Sequence, residues 1–583
     1  MKLHILYFCY KVINFILTNR LFISFIIISG FVFGTDFLFT TQWDRLQEFS
    51  PTTIGIDFAP EVWLSLLSLV LGTLIIVISI ASQNLPKLVD LYMQDWQSLF
   101  YVWFLVLAGI HAVLAKVRVE EDRSFLASAV LNDCLFLPLA IVLVFPYIYY
   151  ILRCTKPVTV IERIFANHLQ QVNLLPNPYV SILLNNPQFK SAYQSRLFAS
   201  LNQLDNLLSY VTLKEAQAQI IEQITELVDR YITLKPNINP QFFLIGQEVR
   251  TDISFRTTIE FEDLERSRIF YEQKCFRLLN NAYTQFIEKH EFDLASLCVS
   301  EIYRVGITAI SIGDDRLIDT TIVRFNTILR IALKHGTRNN EARNLYNFAF
   351  HYGNFISNLV HSHKIEQAKL SFHYLRLYGT EIFKYGKTSP VMYFIVDVFA
   401  AEMKKILMLA HELNLDTALQ SELLFEMLQV DSLPNFMKDD LDKGQFVDNG
   451  VRTLQIGLAL FYLKNDRPEF VERIINDIID DLEYWGKESF CRLIEMTCKH
   501  LQLFNHHFWE DTDRGNLNIY YTPYKDYIDQ FQDLLISRIR LYADNSLELD
   551  RQREELSAKE LERILGRFHE QMLRYLHRFS PEK

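Results

Sequence analysis

His111 is the titratable side chain placed deepest in an apolar stretch of this chain, and an ionisable group in such a setting is a candidate for proton or ion chemistry by position alone. A neutral imidazole bonded to a facing serine is the packing role that its surroundings favour. Ser65, Ser68, Gly72, Ser79 and Ser82 recur at spacings of three, four, seven and three, which puts them on one face of a helix, and Gln83 and Asn84 lie at its end. Such a face lets helix backbones approach one another, or it lines a hydrated path in which hydroxyls and amides replace an ion's water shell. Helix packing is expected, with Gly30 and Gly34 as a second small-residue step. Asp36 and Asp133 fall near the ends of apolar stretches, where hydration is expected to satisfy them, and no paired carboxylate relay is visible.

Elsewhere the sequence has no phosphate loop, dinucleotide fingerprint, HExxH, nucleophile elbow or EF-hand spacing. No enzyme activity, cofactor or metal is expected. His506-His507-Phe508-Trp509-Glu510-Asp511-Thr512-Asp513 is rich in ligand types, but adjacent histidines diverge, and a solvated loop is expected. His361 and His363 sit at a helix-hairpin turn. Gly313-Asp314-Asp315 reads as a glycine that ends one helix and an aspartate that caps the next. The seven cysteines show no CxxC spacing, so neither a zinc site nor a disulfide framework is suggested.

These residues need a scaffold, and four apolar segments provide one: about Leu21 to Thr40, Val62 to Ser82, Ser98 to Ala115 and Leu131 to Leu152. Each has roughly the 18 to 22 residues that cross a hydrocarbon core as a helix. Residues 21–155 are therefore expected to form a four-span transmembrane domain, preceded over residues 1–20 by an interfacial amphipathic lead-in. With the N-terminus inside, Lys2, Lys11, Arg20, Lys87, Arg153, Lys156 and Arg163 are cytoplasmic, against Arg45, Lys116, Arg118 and Arg123 outside. That balance favours both the N-terminus and the C-terminal body in the cytoplasm. The second span runs into Gln83, Asn84, Pro86 and Lys87 because polar groups and a snorkelling lysine suit the inner headgroup layer, and Pro86 ends or kinks the helix. Trp96 and Arg153 are expected at the same interface.

From Lys156 onward the period becomes helical and amphipathic, as in Leu213 to Leu234, Glu262 to Glu288, Leu294 to Ile310, Ile318 to Leu333, Glu341 to Val360, Ile365 to Tyr385 and Val451 to Leu463. Phe255 to Glu260 alone suggests a strand. Ile456 to Tyr462 resembles the first helix of a tetratricopeptide repeat, yet no sustained 34-residue period appears. The expected fold is all-α, a four-helix transmembrane domain followed by a large soluble domain of helical hairpins, solenoid-like in kind. Within it, 156–240 is a helical linker subdomain, 241–545 the main body and 546–583 a charged terminal helix. The net charge of -11 argues against a nucleic-acid partner.

Ser82-Gln83-Asn84-Leu85-Pro86-Lys87 is similar to the Ser-Gln-x-x-Pro-Arg that follows the second span in a family of uncharacterised bacterial predicted membrane proteins, a domain of unknown function. Ala309-Ile310-Ser311-Ile312-Gly313-Asp314-Asp315 resembles that family's Ala-Leu-Ser-Pro-Gly-Ile-Asn-Asp-Pro, with Ile312 at the first proline and Leu317 at the second. The resemblance implies a bacterial inner-membrane protein and brings no activity with it. The partners expected are the lipid bilayer, a second copy of the chain and a cytosolic protein. The expected role is scaffolding or regulation, with an oligomeric ion or small-solute channel as the alternative.

Overall fold

The computed structural model describes residues 7–8, 10, 12, 15–16, 19–42, 59–84, 96–121, 126–154, 156–255, 261–386, 390–431, 450–485, 487–504, 511–512, 515–516 and 519–550. Their contacts divide the chain into two compact units, Met1–Cys275 and Phe276–Lys583. Among the described residues the regular structure is helical, apart from a two-residue antiparallel pair in which Asp511–Thr512 meets Gly515–Asn516.

The first unit begins with a bundle of α1 (Arg20–Thr41), α2 (Ala59–Asn84), α3 (Trp96–Glu121) and α4 (Leu126–Cys154). Helix α4 is α-helical over Leu126–Leu131 and Leu137–Cys154, with a five-residue π-helical turn, Asn132–Phe136, between them. Four described helical stretches are long and apolar enough to cross a membrane: Arg20–Thr41, Trp96–Val117, Ala127–Arg153 and Phe292–Ile312. Three of them belong to this bundle, and α2 completes it with the apolar stretch Pro60–Ile76. The bundle's outer surface is apolar: Phe22, Ile26, Leu38, Leu64, Ile75, Val142 and Phe145 all point away from the core, Phe145 with 79% of its surface exposed. An apolar surface that wide does not suit water.

Past the bundle, α5 (Pro157–Leu174), α7 (Pro187–Tyr210) and α8 (Lys214–Leu234) pack together, and the short α6 (Pro178–Leu183) links two of them. Asn177 and Asn186 cap α6 and α7 with their side chains, each followed by a proline at the first helical position, where its missing N–H costs nothing. Residues near the chain's start reach α7: Tyr7 donates to Gln188, and the Tyr10 ring meets Phe189 edge-on at 4.6 Å. Both ends of the four-helix bundle therefore lie on one side of it.

In the second unit, α12 (Phe292–Ile312) begins a stack of helical hairpins. Its successors are α13 (Asp315–Asn339), α14 (Arg343–His361), α15 (Ile365–Gly386), α16 (Pro390–Glu412), α17 (Thr417–Leu428), α18 (Gly450–Lys464), α19 (Pro468–Trp485), α20 (Lys487–Leu503) and α21 (Ile528–Asp550). Helices α12, α14, α16 and α18 pack side by side in one layer, and α13, α15, α17, α19 and α21 in the other. The apolar length of α12 is explained by this position. A helix apolar on most sides belongs inside a protein as readily as inside a membrane, and Ala295, Cys298, Ile302 and Val305 are fully or almost fully buried. Its buried Glu301 is paired with Arg304 at 3.0 Å.

One type of turn closes these hairpins. Gly313, His363, Asn414 and Asp466 each adopt positive φ after a helix, with His363 following Gly313 by 50 residues, Asn414 following by 51 and Asp466 by 52. After each of them, the next N–H reaches back five positions to a free carbonyl, as Asp314 does to Ala309, Lys364 to Leu359, Leu415 to Ala410 and Arg467 to Tyr462. Asp314 then caps α13 through its side chain, which accepts from the Leu317 N–H at 3.1 Å. The expected glycine stop and aspartate cap are both present.

The helices expected from the sequence are found within a few residues of their observed ends, with one correction. The stretch expected as one helix over Glu262 to Glu288 is two, α10 (Phe261–Ser267) and α11 (Phe270–Glu288), because Arg268 takes a positive φ of 58° between them. The strand considered over Phe255 to Glu260 lies outside the described residues beyond Phe255, as do residues 551–583 of the terminal segment.

The first layer is drawn together at glycines. At Gly306 of α12 a Cβ would lie 2.6 Å from the buried ring of Phe355 on α14, so the Gly306→Ala substitution should cost more in overpacking, about 1–3 kcal/mol, than the roughly 1 kcal/mol it gains in helix propensity. Outside its own helix backbone, a Cβ on Gly72 meets no heavy atom of the described residues within 4 Å, and Gly72→Ala should leave the melting temperature unchanged or higher. Thermal unfolding of the purified chain in detergent compares the two; equal effects would contradict this packing.

Candidate functional site

Polar groups from all four bundle helices join in one cluster around Asn132, in the π-helical turn of α4, and His111. The Trp63 indole of α2 donates to Asn132 Oδ1 at 2.7 Å. Asn132 Nδ2 donates to the Ala108 carbonyl of α3 at 2.9 Å and lies 3.0 Å from Nδ1 of His111, one helical turn further along α3. His111 Nε2 in turn lies 3.3 Å from Asp36 Oδ1 on α1. Trp63, His111 and Asn132 are buried, while the Asp36 side chain keeps 22% of its surface exposed. Phe33 and Phe136 pack edge-on against the imidazole.

This geometry fixes the proton. An indole nitrogen only donates, so the Asn132 oxygen faces Trp63 and its NH₂ faces His111. The imidazole Nδ1 must then accept, which leaves the ring proton of neutral His111 on Nε2, facing the Asp36 carboxylate. Asn132 opens the π-helical turn, whose wider ring shifts the face that α4 presents beyond it. Gly109 supports the approach of α3 to α2: a Cβ there would touch Trp63 Cβ at 3.5 Å.

The partner expected for His111 was a serine; the observed partners are Asn132 and Asp36. Asp36 is likewise not simply hydrated at a helix end but held beside an imidazole. Trp63 and Asn132 gave no signal in the sequence, being amphipathic residues near the starts of apolar runs. The co-occurrence of Asp36 and His111 toward matching ends of neighbouring spans was the readable hint.

The small-residue stripe lies elsewhere. Ser65, Ser68 and Ser79 are exposed on the bundle's outer surface, and the Ser65 hydroxyl bonds back to the Glu61 carbonyl at 2.9 Å. Among the described residues a Cβ on Gly30, Gly34 or Gly72 would meet nothing within 4 Å, so these glycines bring no described helices together. Ser82, Gln83 and Asn84 form the last turn of α2, but their side chains lie outside the described residues, as do Pro86 and Lys87 entirely. Trp96 opens α3, its ring 5.3 Å from that of Phe100, and Arg153 is exposed near the end of α4.

The second unit holds one further unusual group. Lys404 of α16 is only 7% exposed. It lies against Gly457 of α18, where a Cβ would come 3.1 Å from Nζ. Burial, and then the neighbouring charge of Lys405, lowers its pKa to about 8. Such an amine is a better nucleophile than an exposed lysine, but a reaction also needs a converging acid or base, and the Gly457 backbone beside it supplies neither. By contrast, the buried Lys274 spends all three protons on Asn202, Asp252 and Ser254 at 2.6 to 2.9 Å. Among the described residues no group of three His, Cys, Asp or Glu side chains could hold a metal.

Two outcomes follow. Asn132→Leu strands the Trp63 N–H and His111 Nδ1 together and should lower bundle stability in detergent by about 1–3 kcal/mol, against about 0.6 for Trp63→Phe. Nitrogen NMR of labelled histidine should show the neutral form of His111 with its proton on Nε2, and an Nδ1–H tautomer would overturn the assignment. For Lys404, the folded chain holds its proton less tightly than the unfolded chain, so stability should rise with pH between about 8 and 10.5. Lys404→Met should therefore stabilise the protein at pH 7, by up to roughly 3 kcal/mol, with a gain that fades above pH 8. No family model matches this chain, and no curated protein or solved structure matches it either.

Proposed function

We propose that this chain is a multi-pass protein of the bacterial inner membrane whose stacked helical hairpins bind a cytosolic protein partner or a second copy of the chain, in a scaffolding or regulatory role. The observation that carries the reading is the recurrence of one hairpin turn every 50 to 52 residues. Stacks of this kind bury a continuous core between neighbours and present extended side faces to other proteins. The second layer has such a face: Val323 on α13, Leu370 and Leu377 on α15 and Phe425 on α17 are exposed apolar residues on successive helices. Support for a cytoplasmic body comes from the cation balance, and the contact of Tyr7 and Tyr10 with α7 agrees with an even number of spans.

A channel is the second reading, favoured by one observation: the hydroxyls of Ser65, Ser68 and Ser79 lie on the outer surface of the chain's own bundle. Only a ring of several copies could turn that surface onto an axis.

The test is made on the full chain in detergent. Light scattering with chromatography should give either an oligomeric mass or a captured partner, and Leu370→Glu with Phe425→Glu should abolish whichever is found while leaving membrane insertion intact. A monomer that captures nothing counts against the scaffold. If bilayers containing the chain show a conductance that Ser65→Leu with Ser79→Leu removes, the channel takes its place.

A further inference from the structure

We propose that a cleft in the bundle, between α1, α3 and the second half of α4, binds one acyl chain of a membrane phospholipid, with the phosphate seated beside Tyr150 and Arg163. The inference rests on the membrane reading above. The cleft has a volume of about 530 Å³, within the range of ligand sites. It opens because α4 changes neighbours along its length. Over Leu126–Leu131 the helix packs on α1, whereas over Leu137–Cys154 it packs on α2, and the π-helical turn and Pro138 lie at the change. Where α4 has left α1, a gap remains above α3.

The lining is graded in polarity. Ile28, Phe31, Phe104 and Leu139, from the middle turns of their helices, make one end wholly apolar. Gln97, near the start of α3, and Tyr147 and Tyr150, near the end of α4, place polar atoms at the other. The Tyr150 hydroxyl accepts from Arg163 Nη1 at 3.4 Å, so a guanidinium stands at that mouth, and Arg153 is exposed nearby in sequence. The cleft faces sideways, amid the outward apolar surface of helices long enough to cross a membrane. A ligand that is apolar along its length, anionic at one end and delivered from the side is a phospholipid.

Native mass spectrometry of the full chain, extracted in mild detergent and exchanged into nanodiscs of phosphatidylethanolamine and phosphatidylglycerol, tests this. The wild type should carry one phospholipid. Leu139→Trp with Leu143→Trp fills the cleft and should remove it, whereas Phe145→Trp, on the exposed side of the same helix, should keep it. Arg163→Gln should lower the preference for phosphatidylglycerol by about fivefold, the worth of one interfacial cation. Equal retention in all variants overturns the proposal, as does a loss in the filled variant that comes with a change in subunit number, since a second copy would then be the occupant. Resistance to carbonate extraction is measured alongside. A chain released by carbonate removes the membrane reading and this site together; a chain that stays in the membrane but carries no lipid removes the site alone.

Discussion

A carboxamide offers two N–H donors and an oxygen acceptor in a plane, and at Asn132 both N–H groups and the oxygen are engaged. The oxygen receives the Trp63 indole, one N–H reaches the Ala108 carbonyl and the other faces His111, whose far nitrogen meets Asp36. Because those groups come from four different helices, no helix of the bundle can slide or rotate by one residue without leaving a polar atom unmatched. Apolar contacts alone would tolerate such slips, since one apolar side chain replaces another at little cost. The π-helical turn that Asn132 opens also marks where α4 passes from α1 to α2, so the polar junction and the cleft below it meet at one turn.

The second unit relies on a different device. Its first layer is held by close approach: Gly306 against Phe355, Gly353 against Glu402 and Gly457 against Lys404 each leave no room for a methyl group without movement. The second layer is held by longer reach, with Lys364 to Asp315 at 2.6 Å, Lys369 to Glu422 at 2.9 Å and Arg538 to Glu472 at 2.9 Å joining successive hairpins. Such exposed pairs contribute little each, typically under about 1 kcal/mol, so the buried layer supplies most of the cohesion. Lys404 lies in that layer at a glycine, where its long side chain fills the space that the missing Cβ leaves.

Much of this was legible locally. Helix extents followed from apolar period, and Asp314 and Gly313 revealed their capping roles because only a few residue types satisfy free helix ends. The hairpin repeat was not legible, since the positive-φ position is filled in turn by Gly313, His363, Asn414 and Asp466. The backbone geometry recurs there while the side chain varies, and a period in geometry leaves no period in letters. Glycines misled in the opposite sense. Gly30, Gly34 and Gly72 have the spacing of a packing motif and touch nothing nearby among the described residues, whereas Gly109 and Gly306, isolated in sequence, are points of close approach. Sequence shows which faces are small, and only the fold shows what stands opposite them. The same limit hid the partners of His111, which lie 21 and 75 residues away along the chain.

The direction of the Asn132 amide has one more consequence. The lone pair on His111 Nδ1 is already engaged, so the ring can take up a second proton only by releasing the amide N–H. Turning the amide over would bring its NH₂ against the indole of Trp63, another donor, and strip the Ala108 carbonyl of its partner. A charge arriving on this one imidazole would thus be registered at once on α2, α3 and α4, as well as by the carboxylate on α1.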